Sequence, residues 1–203
     1  RMHPDLGNFI SRNFYERYGE GFHSPLGPEN FSQILENQPM KWIDIPLSSG
    51  KMESLSYSKF RSCEVECIID EIRRYKEKMG TLPLTIGVIS FYRAQVNQIR
   101  RRLKDENLSD NVSVGTVDAF QGMEFDVIFL SIVRTGIDVN SINLDELEKD
   151  PSSIENQQER EKFVSRRDLV GRRQYGFLTS ENRLCVALSR QKRLLVVVGD
   201  GTL

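Results

Sequence analysis

Apolar residues recur along this chain in two rhythms that trade places. Leu6, Phe9, Ile10 and Phe14 stand at helical spacing behind Pro4 and Asp5, which predicts a helix from about Pro4 to Tyr18. Lys41-Trp-Ile-Asp-Ile45 is a short strand closed by Pro46. The stretches on either side, 19–39 and Ser48 to Ser58, are polar and read as irregular connections. Val65, Ile68, Ile69, Ile72 and Tyr75 share one face of a helix from about Arg61 to Lys78, which Gly80 stops. Leu84 to Ser90 is a nearly continuous β-rich run, the pattern of a parallel strand buried on both faces. A helix follows from Arg93 to Lys104, with Val96, Ile99 and Leu103 inward. Strands are then expected at Val112 to Val117 and Phe125 to Val133, a short helix at Ser180 to Ser189 with Ser180 as its N-cap, and a last strand at Arg193 to Val198.

Strand and helix alternate, so the fold class is α/β: a mainly parallel central sheet with helices on both faces. Ligands on such sheets collect at the carboxyl ends of the strands. Two segments are expected at or just after such ends: Val114 to Glu124 and Asn182 to Arg193. Residues 137–175 form a polar, mixed-charge insertion, expected to be helical from Asn156 to Arg167.

Composition narrows the function classes. The 203 residues accommodate one sizeable core, so residues 1–203 read as one domain carrying that insertion. The net charge of -1 offers no global basic field, so any nucleic-acid contact must come from local patches. No apolar run is long enough to cross a bilayer, and no membrane partner is expected. Three irregularly placed cysteines suit a reducing interior, cytoplasmic or, in a eukaryote, nuclear. Cys63 and Cys67 lie one helical turn apart with no second pair, so they read as half-buried thiols and no metal site is assigned; Cys185, between Leu184 and Val186, reads as core. The chain opens on Arg1 rather than Met and is expected to be a piece of a longer protein.

Arg190 is the foremost candidate for chemistry. A guanidinium is always charged and holds two phosphate oxygens at once. It stands at the end of a short helix running into a strand, and if that edge faced a nucleotide on another domain it would stabilise the γ-phosphate; the alternative is a solvated surface arginine. Glu124, two residues after Gly122, suits ribose hydroxyls or is simply an exposed turn residue. Gln121 suits a phosphate, an attacking water or a turn cap, and Asp118 a turn. Ser90, Tyr92, Thr116 and Arg134 fall near strand ends and together suggest a surface for a nucleic-acid backbone, with Tyr92 either stacking or packing on the core. Arg100, Arg101, Arg102 and Lys104 read as a solvated helix face, with a phosphate-tracking patch as the alternative.

Four strings give these residues a common meaning: Arg1-Met-His-Pro4, Ile89-Ser-Phe-Tyr-Arg-Ala-Gln95, Val117-Asp-Ala-Phe-Gln-Gly-Met-Glu124 with Leu130-Ser-Ile-Val-Arg-Thr135, and Arg183-Leu-Cys-Val-Ala-Leu-Ser-Arg190. Their order resembles the later motifs of superfamily 1 helicases, closest to the 5′-to-3′ group that includes senataxin and the RNA-surveillance and DNA helicases. The resemblance implies the second of two RecA-like domains of an ATP-dependent helicase. It implies that Arg1 and Arg190 reach the γ-phosphate of ATP, which is bound with Mg²⁺ mainly by the first domain. Glu124 would bind the ribose, with Gly122 admitting the backbone, and Gln121 would couple nucleotide to nucleic acid. Ser90, Tyr92, Thr116 and Arg134 would contact single-stranded DNA or RNA. The implied partners are that strand and the protein's own first domain, and the isolated chain is expected not to turn over ATP. A non-catalytic binding module on the same fold is the other reading. The absence of a Gly-x-Gly-x-x-Gly turn and of clustered carboxylates argues against a dinucleotide enzyme or a nuclease.

Overall fold

The computed structural model describes residues 2–31, 36, 38–80, 82–135 and 151–202, apart from the side chains of 166–174. Its centre is a five-stranded sheet in the order β1-β7-β6-β4-β5, every pair parallel. The strands are β1 Met40–Asp44, β4 Ile86–Ser90, β5 Val112–Thr116, β6 Phe125–Ser131 and β7 Gln191–Gly199. The expected α/β class, a parallel sheet sandwiched by helices, is what forms.

The period-2 alternation of buried strands divides the core in two. Val88, Val127, Phe129, Leu194 and Val196 face helices α2 (Ser62–Met79) and α3 (Arg93–Asp105). Ile89, Ile128, Leu130, Leu195 and Val197 face the other way, toward Leu6 of α1 (Pro4–Ile10) and Ala187 of α5 (Glu181–Leu188). The rows Ile68, Ile69, Ile72 and Tyr75 are fully buried, as their spacing requires. Gly80 ends α2 with φ 54, a left-handed conformation that glycine enters at little steric cost.

Several boundaries differ from the sequence reading. The first helix is α-helical only to Ile10, then widens into a π turn, Ser11–Tyr15, and tightens into a 3-10 turn, Glu16–Tyr18. Residues 48–58 are not simply loop: β2 (Glu53–Leu55) and β3 (Ser58–Phe60) pair as an antiparallel hairpin. Its strands are too short and too exposed to show apolar alternation. Helix α4 (Gln157–Tyr175) runs well past Arg167. Ser180 stands at the N-cap of α5 but makes no side-chain cap bond; its backbone carbonyl accepts from Leu184 N instead (2.9 Å). Residues 137–150 of the predicted insertion lie outside the described residues.

Candidate functional site

The two motif segments meet at the amino edge of the sheet, not the carboxyl edge. Phe125 and Gln191, the first residues of β6 and β7, are register partners. Just before them, the Phe125 N–H donates to the carbonyl of Arg190 (2.9 Å), and Arg190 Nη1 donates to the carbonyl of Met123 (3.4 Å). Arg190 is thus joined to both neighbours of Glu124. Parallel pairing explains the correction: α5 runs back against the strand direction, so the residue that ends it begins the next strand at the opposite edge.

The Arg190 guanidinium also donates to the carbonyl of Val186 (3.1 Å) and to the Ser189 hydroxyl (2.9 Å). All of these acceptors are neutral. Glu124 is 59 % exposed at its side chain and pairs with Lys192 (3.4 Å), whose backbone carbonyl accepts from His3 N (2.7 Å). That bond draws the N-terminal segment to the same edge; Arg1 itself lies outside the described residues. Gly122 has φ 80 and no atom within 4 Å of where a Cβ would stand, so its backbone faces open space. Gln121 is exposed beside it.

The strand-facing candidates gather at the carboxyl edge, where Ser90 is register partner to both Thr116 and Ser131. At roughly 3.3 Å per residue, β6 separates this edge from Arg190 by about 20 Å. Ser90 is fully buried and donates to the carbonyl of Ser131 (3.2 Å). Tyr92 is 4 % exposed, and its hydroxyl accepts from Arg134 Nε (2.6 Å), itself buried. Of the four, Thr116 and the ring of Tyr92 line open space, and Ser90 and Arg134 do not.

That space is a groove of about 610 Å³, of whose walls the sequence reading named only Tyr92 and Thr116 as nucleic-acid contacts. Its walls include Tyr57, Arg93, Thr116, Phe177 and Arg183. Arg183 pairs with Asp118 (3.1 Å) and lies over the Phe177 ring (5.0 Å to its centroid). Exposed aromatics interleaved with arginines are the signal that could have found it, but only the fold brings residues 57, 93 and 177 together.

One segment links the edges. From Thr116 the chain runs through a 3-10 turn, Val117–Phe120, to Glu124. Phe120 anchors this strap by lying over Gly87 and Gly115: a Cβ at Gly87 would stand 3.0 Å from the ring, and one at Gly115 would collide with it. The ring also packs against Phe125 (centroids 5.0 Å apart).

Other candidates take structural roles. Arg102 pairs with Glu66 (2.6 Å) and Glu106 (3.1 Å), and Arg100 donates to the carbonyl of Val114, the residues of a solvated, ion-paired face. The three cysteines are free and half-buried. Cys185 therefore departs from the expected core position; its Sγ lies 3.8 Å from the Tyr15 hydroxyl. Burial, followed by Glu71 and Asp70, pushes the Cys67 thiol up to about 11, so it is no nucleophile at neutral pH.

Residues 1–202 match the AAA domain family (AAA_12), and the chain belongs to it. The relatives it resembles carry helicase names. DNA polymerase alpha-associated DNA helicase A of Saccharomyces cerevisiae is 33% identical over 143 residues, covering 70% of this chain and 16% of that protein. Helicase sen1 of Schizosaccharomyces pombe is 26% identical over 208 residues, covering 98% of this chain and 10% of that protein. Putative helicase mov-10-B.1 of Danio rerio is 33% identical over 216 residues, covering 98% and 19%. The resemblance to superfamily 1 helicases read from the motifs is thereby shown, and the chain spans a small part of each relative's length.

Proposed function

We propose that this chain is the second RecA-like motor domain of an ATP-dependent helicase or translocase acting on single-stranded nucleic acid. The observation that carries this reading is the joining of Arg190 to both flanks of Glu124, at the far end of a strap that begins at Thr116. A phosphate-reaching cation and a ribose-reaching carboxylate share one edge, and the same chain segment leads to the groove at the other.

The residues fit the ribose and γ-phosphate end of a nucleotide: an exposed carboxylate, open backbone at Gly122 and a guanidinium that, among the described residues, is held by neutral oxygens. They do not fit Mg²⁺, since among the described residues no group of three acidic, cysteine or histidine side chains gathers to hold a metal. When bound between the two domains, ATP with its Mg²⁺ supplies the transferable phosphoryl group. Arg190 then exchanges its carbonyl contacts for phosphate oxygens and neutralises charge that grows toward the transition state. Arg1, two residues from the His3–Lys192 bond, would add a second cation. Glu124 leaves Lys192 to accept ribose hydroxyls. Gln121, on the strap between the edges, transmits the change to Thr116 and the groove, while Ser90 and Arg134 act from below by holding Ser131 and Tyr92.

The test is ATP hydrolysis by the intact protein with and without single-stranded DNA or RNA. Strand-stimulated turnover by the intact protein, with none from residues 1–203 alone, is expected. Strand binding without any turnover would instead favour a non-catalytic binding module.

A further inference from the structure

The hairpin β2–β3 carries an unusual tip. Leu55 pairs with Ser58, leaving Ser56 and Tyr57 as a two-residue turn. Ser56 is left-handed (φ 54), a conformation that disfavours any residue with a Cβ. Tyr57 has a relative exposure of 108 %, so its ring is not packed against any of the described residues. The tip is nevertheless fixed in place, because the Ser58 hydroxyl accepts a hydrogen bond from Ala94 N (3.0 Å) at the start of α3. An apolar ring held out in water on an anchored turn costs hydrophobic free energy that the fold does not recover.

Phe177 stands on the same groove. It is 46 % exposed, its ring is set 5.6 Å from Tyr92, and Arg183 covers it. Arg93, exposed at the start of α3, lies in the groove as well, with Thr116 and Asn97. Arg183 is balanced by Asp118, and among the described residues lining the groove Arg93 is the other cation placed to meet an anion. An open aromatic face, a guanidinium plane backed by a second ring, a further cation and hydroxyl groups around one groove match the alternation of bases and phosphates in a single strand. A duplex offers no free base faces to such rings.

Resting on the strand-binding reading above, the geometry points to Tyr57 and the Arg183 guanidinium stacked on Phe177 as base-stacking stations for single-stranded nucleic acid, with Arg93 contacting the phosphate between them. The groove thus recognises unpaired bases, not merely a charged backbone. This makes the hairpin a substrate-contacting element, and stacking of this kind tolerates any sequence.

The test compares equilibrium binding of the intact protein to a fluorescein-labelled single strand and to an abasic strand of equal length. Tyr57→Ala is expected to weaken binding to the base-bearing strand roughly 10-fold, the loss of one stacked base, and to leave the abasic strand unchanged. Tyr57→Phe should restore it. Arg93→Ala should weaken both strands. Equal loss on both strands with Tyr57→Ala, or no loss on either, overturns the proposal while leaving the strand-binding reading intact; a protein partner in the groove would give the second result. No binding of either strand by the unaltered protein would overturn both.

Discussion

The carboxylate of Glu64 holds the backbone of Val133 in a left-handed turn. The Val133 N–H points at both Glu64 oxygens (3.1 and 3.0 Å), and Val133 has φ 68, a strained value for a β-branched residue. Glu64 is fully buried and also accepts from the Ser131 hydroxyl (2.7 Å) and Arg61 Nη1 (3.3 Å). Burial pushes its carboxyl up, against these three donors. Arg61, equally buried, reaches the carbonyls of Gly50 (2.9 Å) and Pro46 (2.8 Å). The network therefore ties the end of β6 to the chain entering the hairpin, and the turn at Val133 sets Arg134 under Tyr92.

Glu64→Ala leaves the buried Arg61 without its counter-charge and the Val133 N–H without its acceptor. The expected loss is about 3–5 kcal/mol of folding stability, measured as a shift of the urea midpoint. Glu64→Gln keeps the shape and should cost less. In a Val133→Gly background the cost of Glu64→Gln should shrink further, since glycine removes the strain that the carboxylate holds. Strict additivity of the two changes would contradict the relationship.

Gly115→Ala tests the strap. The added methyl collides with the Phe120 ring, so a loss of about 1–3 kcal/mol is expected on thermal unfolding. In the intact protein the same change should lower strand stimulation of ATP hydrolysis more than basal turnover, because it displaces the segment joining Thr116 to Glu124. A variant with normal stimulation would show that the two edges communicate by another route.

Much of this architecture was legible in the chain, and what was not has physical reasons. The runs at Leu84 to Ser90 and Phe125 to Val133 announced buried parallel strands, because side chains on both faces had to be apolar. The segments that carry Glu124 and Arg190, singled out together in the sequence, do lie side by side. Their edge was not legible, because strand direction relative to the preceding helix emerges only on assembly. Only part of the groove was legible, through Tyr92 and Thr116 at strand ends: Tyr57 sits on a hairpin whose strands are too short for any periodicity, and Phe177 follows a mixed-charge stretch. Ser90 and Arg134, read as surface residues from their place at strand ends, are covered by Ser131, Tyr92 and Gly176, where a Cβ would strike the Arg134 guanidinium.

Asp126 gives the fold an acid-sensitive tie. It accepts from Thr85 N (2.9 Å), the Thr85 hydroxyl (2.9 Å) and Arg193 Nε (3.0 Å), joining the starts of β4, β6 and β7. Burial raises its pKa, but the Thr85 donors and Arg193 outweigh burial and hold it below the 3.8 of an unperturbed aspartate. Because the folded value is depressed, the contribution is present above pH 3.8 and is lost as the pH falls through the folded pKa. The stability difference between the unaltered protein and Asp126→Asn should therefore be constant near neutrality and shrink below pH 3.8. A difference independent of pH in urea titrations would contradict this.

The central claim is that Arg190 completes an ATP site across a domain cleft, and steady-state ATP hydrolysis by the intact protein carrying Arg190→Ala tests it most directly. Turnover is expected to fall by roughly 10³-fold or more, as for other residues that neutralise the transferring phosphoryl group. Single-strand affinity should stay unchanged, since the groove lies at the opposite edge of the sheet. Turnover within a few-fold of the unaltered protein would contradict the claim.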